Sequence, residues 1–120
     1  MDTNALNELV EGILAIFNNQ VIRIVLYGSY ARGNNTSESD VDVALLLNGN
    51  LNESTEDKLS DLVVDLNLKY DKVFSVIDID YAVFKKWEKV TPFYKNVNKE
   101  GIVLWKACLL YTSDAADDLT

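Results

Sequence analysis

A chain of 120 residues can bury one modest core but not two, and with 48% hydrophobic residues, one proline and five glycines it is neither disordered nor of low complexity. A formal charge of −8 and the absence of histidine exclude a broad basic surface for a nucleic-acid backbone, a His-based catalytic triad and a His-ligated zinc site, and argue against nucleic acid as the substrate. A single cysteine, Cys108, excludes an internal disulfide framework, and no apolar run approaches the roughly 20 residues that cross a membrane, so a cytoplasmic protein with no membrane partner is expected.

The chain opens on an acidic, amphipathic stretch without a basic and apolar leader. Asp2 or Thr3 caps a first helix in which Leu6, Leu9, Val10, Ile13, Leu14 and Phe17 fall at helical spacing, up to the Asn18-Asn19 pair. Residues 21–27, VIRIVLY, are β-branched and almost continuously apolar, as in a strand covered on both faces. That strand stops at Gly28-Ser29, where YARG has room for about one helical turn before a polar loop over residues 33–39.

A second strand is predicted from Ser39 to Leu47, followed by a turn-rich loop from Asn48 to Asn52. Residues 54–70 place Leu59, Leu62, Val63, Leu66 and Tyr70 on one helical face, with Ser54 or Thr55 as the cap and acids in the first turn. VFSVIDID, residues 73–80, is a third strand, and AVFKKWEKV, residues 82–90, a short helix. Thr91 caps a last helix with Pro92 at its first position and Gly101 just past its end, and IVLWK closes the series as a strand. The order α-β-α-β-α-β-α-α-β predicts a single α/β domain over residues 1–107, with helices packed on a sheet.

The tail breaks this rhythm. CLLYTSDAADD, residues 108–118, resembles the translation of a sequencing-library adaptor, a transposase end followed by a primer site, and residues 108–120 are therefore set apart as non-native; the alternative is a native acidic tail. Without Asp114, Asp117 and Asp118 the charge of −8 becomes −5, and Cys108 no longer bears on the redox compartment.

The chemistry is concentrated in GSYARGNNTSESDVDVALLL, residues 28–47. In a strand, residues two apart point to one face, so Asp40 and Asp42 project together while Val41 and Val43 turn into the core. Two carboxylates so placed repel each other and suit a hard divalent cation such as Mg²⁺, which keeps waters and phosphates in the rest of its shell. Asp78 and Asp80 likewise share a face of the third strand, and either would meet the first pair if the strands are neighbours, giving the carboxylate cluster of a two-ion centre. Gly28 permits close approach of backbone to a ligand, and the turn that starts at Ser29 offers N–H groups and a hydroxyl to phosphate oxygens. Arg32 either reaches a phosphate or pairs with a nearby acid. The P-loop and the dinucleotide fingerprint are both absent.

These residues together resemble the signature G-S-x-A-R-G-x(n)-S-D-x-D of the nucleotidyltransferase superfamily that includes DNA polymerase beta, and most closely its minimal (MNT-type) members, over residues 21–106. The resemblance implies a small mixed β-sheet with helices packed against it. It implies that Gly28 and Ser29 bind nucleotide phosphates, and that Asp40, Asp42 and a third aspartate bind two Mg²⁺ ions, with Asp78 favoured over Asp80. It implies transfer of AMP from ATP, or of another nucleotide, to a hydroxyl of a helical HEPN-type toxin for which the chain is the antitoxin. Occlusion of that toxin without catalysis, and modification of a small molecule such as an aminoglycoside, are the alternatives. The lysines 85, 86, 89, 95 and 99 crowd the last two helices, and Tyr27 and Tyr30 flank the Gly-Ser turn as shape-filling neighbours.

Overall fold

The computed structural model describes residues 3–36, 38–49 and 51–107, so the expectations for Asp2, Cys108 and the 108–120 tail lie outside the described residues. Helix α1 (Thr3–Phe17) buries Ala5, Leu9, Ile13 and Phe17, one row of residues four apart. A single 3₁₀ turn over Asn18–Gln20 then delivers the chain to β1 (Val21–Tyr27). Its first residue, Asn18, takes the left-handed conformation at φ 53°, which asparagine tolerates better than most residues.

The short α2 (Ser29–Arg32) and a polar loop lead to β2 (Val41–Leu47), which starts two residues later than the sequence suggests. Helix α3 (Glu53–Tyr70) crosses over to β3 (Phe74–Asp80), α4 (Tyr81–Trp87) and α5 (Pro92–Glu100) follow, and β4 (Ile102–Lys106) ends the series. The cap of α3 is Asn52 rather than Ser54 or Thr55: Asn52 Oδ1 accepts from the Thr55 N–H at 2.8 Å, and Thr55 Oγ1 accepts from the Asn52 N–H at 3.2 Å. This reciprocal pair is a capping box, in which Thr55 holds the third helical position instead of the cap itself.

The four strands form one mixed sheet in the order β3-β2-β1-β4. β1 runs antiparallel to β2 and β4, whereas β2 and β3 are parallel, as a helical crossover between neighbouring strands requires. β2 therefore lies inside the sheet and is covered on both faces. Val41, Val43, Leu45 and Leu47 join Leu9, Ile13, Leu59 and Leu66 of α1 and α3 in the larger cluster. Ala44 and Leu46 turn the other way, toward Phe84 of α4 and Val97 of α5, with Val25 and Ile79 beside them. Each such buried aliphatic or aromatic side chain contributes about 1.5–3 kcal/mol. Asp80 ends β3 and starts α4, its Oδ1 accepting from the Ala82 N–H at 3.1 Å.

Candidate active site

The site forms where β1 ends. Tyr27 and Asp42 are the last partners in the β1–β2 ladder, so the glycine that follows Tyr27 passes directly against the Asp42 carboxylate. Gly28 sits at φ 77°, ψ −154°, and a Cβ built on it would fall on Asp42 Oδ2. Only glycine satisfies both conditions, the left-handed backbone and the close approach. From there the chain winds into the single turn of α2, where the Ala31 and Arg32 N–H groups both donate to the Gly28 carbonyl at 3.1 Å. Gly33, at φ 81°, closes the turn by donating its N–H to the Ser29 carbonyl at 2.9 Å.

The loop returns to the sheet through a local knot in which Ser39 Oγ accepts from the Thr36 N–H at 2.9 Å. Asp40 leaves it exposed to solvent, and Asp42, two residues on, is half-buried. Burial holds the Asp42 carboxyl above its ordinary value, the charge of Asp40 pushes it further up, and Arg32 partly offsets both. Tyr27 feels the same field: burial and then the Asp42 charge push its hydroxyl up. The Tyr27 ring packs edge-on against Phe93 of α5, with centroids 5.4 Å apart at 88°. Arg32 Nη1 lies 3.8 Å from Glu100 Oε1 at the end of α5, both side chains well exposed, so it is loosely paired rather than committed.

Asp40 and Asp42 are thus brought together with Gly28, Ser29 and Arg32, but Asp78 and Asp80 are not brought to them. β3 is indeed the neighbour of β2, yet the parallel register pairs Asp78 with Leu45 and Asp80 with Leu47. Partners in a ladder share a face. Leu45 and Leu47 face the α1 and α3 layer, opposite to Asp42, and Asp80 is engaged as the cap of α4. The residue registered against Asp42 is Ser75. Among the described residues no group of three or more acidic, histidine or cysteine side chains is placed to hold a metal. Asp40 and Asp42 on their own suit one divalent cation: the charge of Asp40 adds to the cost of ionising Asp42, and the missing side chain at Gly28 leaves Asp42 Oδ2 uncovered.

Several flanking groups are already occupied. Lys85 Nζ pairs with the buried Glu88 at 2.8 Å, and Lys86 lies over the Trp87 ring at 5.4 Å. Tyr30 turns to the larger cluster, where its hydroxyl accepts from Lys72 Nζ at 3.0 Å. Sequence reasoning passes over Ser75, and the signal that would find it is the shared start of two parallel strands, which sets Val41 against Phe74 and so Asp42 against Ser75.

The chain is thus a mixed sheet covered by helices on both faces, with a Gly-Ser turn held against paired strand aspartates. Residues 6–104 match the family model described as nucleotidyltransferase domain, and the chain belongs to that family. It is 35% identical over 107 residues to a Methanocaldococcus jannaschii protein named "Putative protein adenylyltransferase", across 87% of this chain and 98% of that relative. In fold it is similar to a crystal structure of the toxin-antitoxin MntA-HpeT, with a TM-score of 0.59 at 20% identity over 89% of this chain and 75% of that one. A structure of a tri-AMPylated Shewanella oneidensis HEPN toxin in complex with MNT antitoxin matches with a TM-score of 0.55 at 20% identity, over 89% and 74% of the two chains. The small polymerase-beta-like core implied by the signature is the core observed.

Proposed function

We propose that this chain transfers AMP from ATP, in the presence of Mg²⁺, to a hydroxyl on a helical HEPN-type partner protein. The observation that carries this reading is the contact between Gly28 and Asp42: a side chain at position 28 would separate the phosphate-binding turn from the cation-binding pair. The family, the relative named as a protein adenylyltransferase and the likeness to a toxin bound to its antitoxin support adenylyl transfer to a protein.

Asp40 and Asp42 would hold the cation, with Ser29 and the backbone at the start of α2 holding the β- and γ-phosphates. The cation, when bound, neutralises the triphosphate and draws off the charge that develops on pyrophosphate. Gly28 lets the phosphate tail lie close to Asp42, and Arg32, only loosely paired with Glu100, is free to turn to a phosphate oxygen. The acceptor oxygen forms a bond to the α-phosphorus as the bond from that phosphorus to the bridging oxygen breaks. Pyrophosphate leaves with the electron pair, and the hydroxyl proton passes to water on the open Asp40 side. Incubating the chain with the partner, Mg²⁺ and α-labelled ATP tests this: label should appear on the partner and vanish with Asp40→Asn and Asp42→Asn together. Full transfer by that double variant would refute the mechanism.

Occlusion of the partner without catalysis is the second reading, favoured by the register that leaves Asp78 off the site. Toxin inhibition that survives the same double variant, with no label transferred, would select it.

A further inference from the structure

The β2–β3 register bears on how many cations the site holds. Asp42 and Ser75 are partners in the parallel ladder, so their side chains leave the same face from backbones about 4.8 Å apart. Ser75 is half-buried there, registered directly against Asp42. The acids of the same strand, Asp78 and Asp80, are three and five residues further along and on the other face.

Two divalent ions bring four positive charges, against two negative charges from Asp40 and Asp42. The β- and γ-phosphates add their charge on the leaving-group side and the α-phosphate adds a single charge at the reacting phosphorus, so an ion on the acceptor side draws on a third carboxylate of the protein. A serine hydroxyl is a neutral ligand and supplies none. We infer that Ser75 makes this a one-ion site: the nucleotide is held with a single divalent cation by Asp40 and Asp42, and the acceptor hydroxyl is left without an activating ion, so that the residue at position 75 limits turnover. The inference rests on the nucleotide reading proposed above.

Mn²⁺ counted by electron paramagnetic resonance, in the presence of a non-hydrolysable ATP analogue, separates one ion from two. The wild type should bind one Mn²⁺ and Ser75→Asp two, with adenylyl transfer by Ser75→Asp faster by more than about tenfold. Ser75→Ala should keep one ion with unchanged affinity for the analogue, so the role of the serine is decided even if Ser75→Asp fails to fold. Two ions in the wild type, one in folded Ser75→Asp, or loss of the ion in Ser75→Ala would each overturn the inference while leaving the nucleotide reading standing. No bound Mn²⁺ in either the wild type or folded Ser75→Asp would overturn both.

Discussion

Gly28 and Asp42 act as one unit, although fourteen positions separate them in the sequence. Gly28→Ala meets two penalties, a left-handed backbone and a methyl group on the Asp42 carboxylate, and should cost about 1–3 kcal/mol in urea unfolding. The second penalty belongs to the pair, so the loss should shrink in an Asp42→Ala background, and a double-mutant cycle isolates it. Asp42 itself is held at some cost. Its carboxyl lies above the ordinary 3.8 in the folded chain, so the folded state binds protons more readily there than the unfolded one. Ionised Asp42 therefore destabilises the fold at all pH values above its raised folded value, and that penalty disappears as pH falls to 3.8 and below. Asp42→Asn should accordingly unfold at the same or a higher temperature than the wild type at pH 7, and its advantage should fade as pH is lowered. A melting temperature for Asp42→Asn well below the wild type at neutral pH would contradict this origin of the shift. Its transfer activity should nonetheless fall by about 10²-fold or more, since a charge placed for the reaction is gone.

Among the elements, α3 depends on its first turn more than its packing face suggests, because only Leu59 and Leu66 are fully buried. Asn52→Ala removes the capping box and should cost about 1 kcal/mol in thermal unfolding while leaving nucleotide affinity unchanged. The presence and order of the elements are legible in the sequence because the signals differ in kind. Period-four apolar rows mark α1 and α3, unbroken β-branched runs mark β1 and β2, and Thr91, Pro92 and Gly101 punctuate α5. The cap of α3 is harder to read, since Asn52, Ser54 and Thr55 are all competent caps and only geometry chooses between them. Register is harder still. Alternation along VFSVIDID shows that Asp78 and Asp80 share a face, but not which face of the sheet, and a crossover helix permits more than one stagger. Asp40 and Asp42 escape this ambiguity because they and Gly28 lie at the two ends of one loop, where the β1–β2 ladder closes on Tyr27 and Asp42.

On the scale of the whole molecule, the sheet separates a stability layer from a working layer. The α1 and α3 face carries most of the buried residues, and the opposite face carries a smaller cluster under α4 and α5, at the rim of which Tyr27, Phe93 and Asp42 meet. The candidate site residues therefore come from the end of β1, the α2 turn and β2, with Arg32 reaching toward Glu100 on α5, and a ligand bound there as proposed would tie the sheet to its thinner cover. Whatever binds the folded state and not the unfolded one stabilises the whole domain by mass action. Mg²⁺ and a non-hydrolysable ATP analogue, added together at about one hundred times the dissociation constant, should stabilise the wild type by about 2.7 kcal/mol. For a domain of this size that is a rise of about 10 °C in melting temperature. Mg²⁺ alone should give a much smaller rise, because two carboxylates without a triphosphate complete too little of the ion's shell. In the double variant Asp40→Asn, Asp42→Asn the joint effect should collapse to that of the nucleotide alone, since the phosphate turn survives and the cation pair does not. An undiminished rise in that variant, followed by scanning calorimetry, would place the cation elsewhere on the molecule.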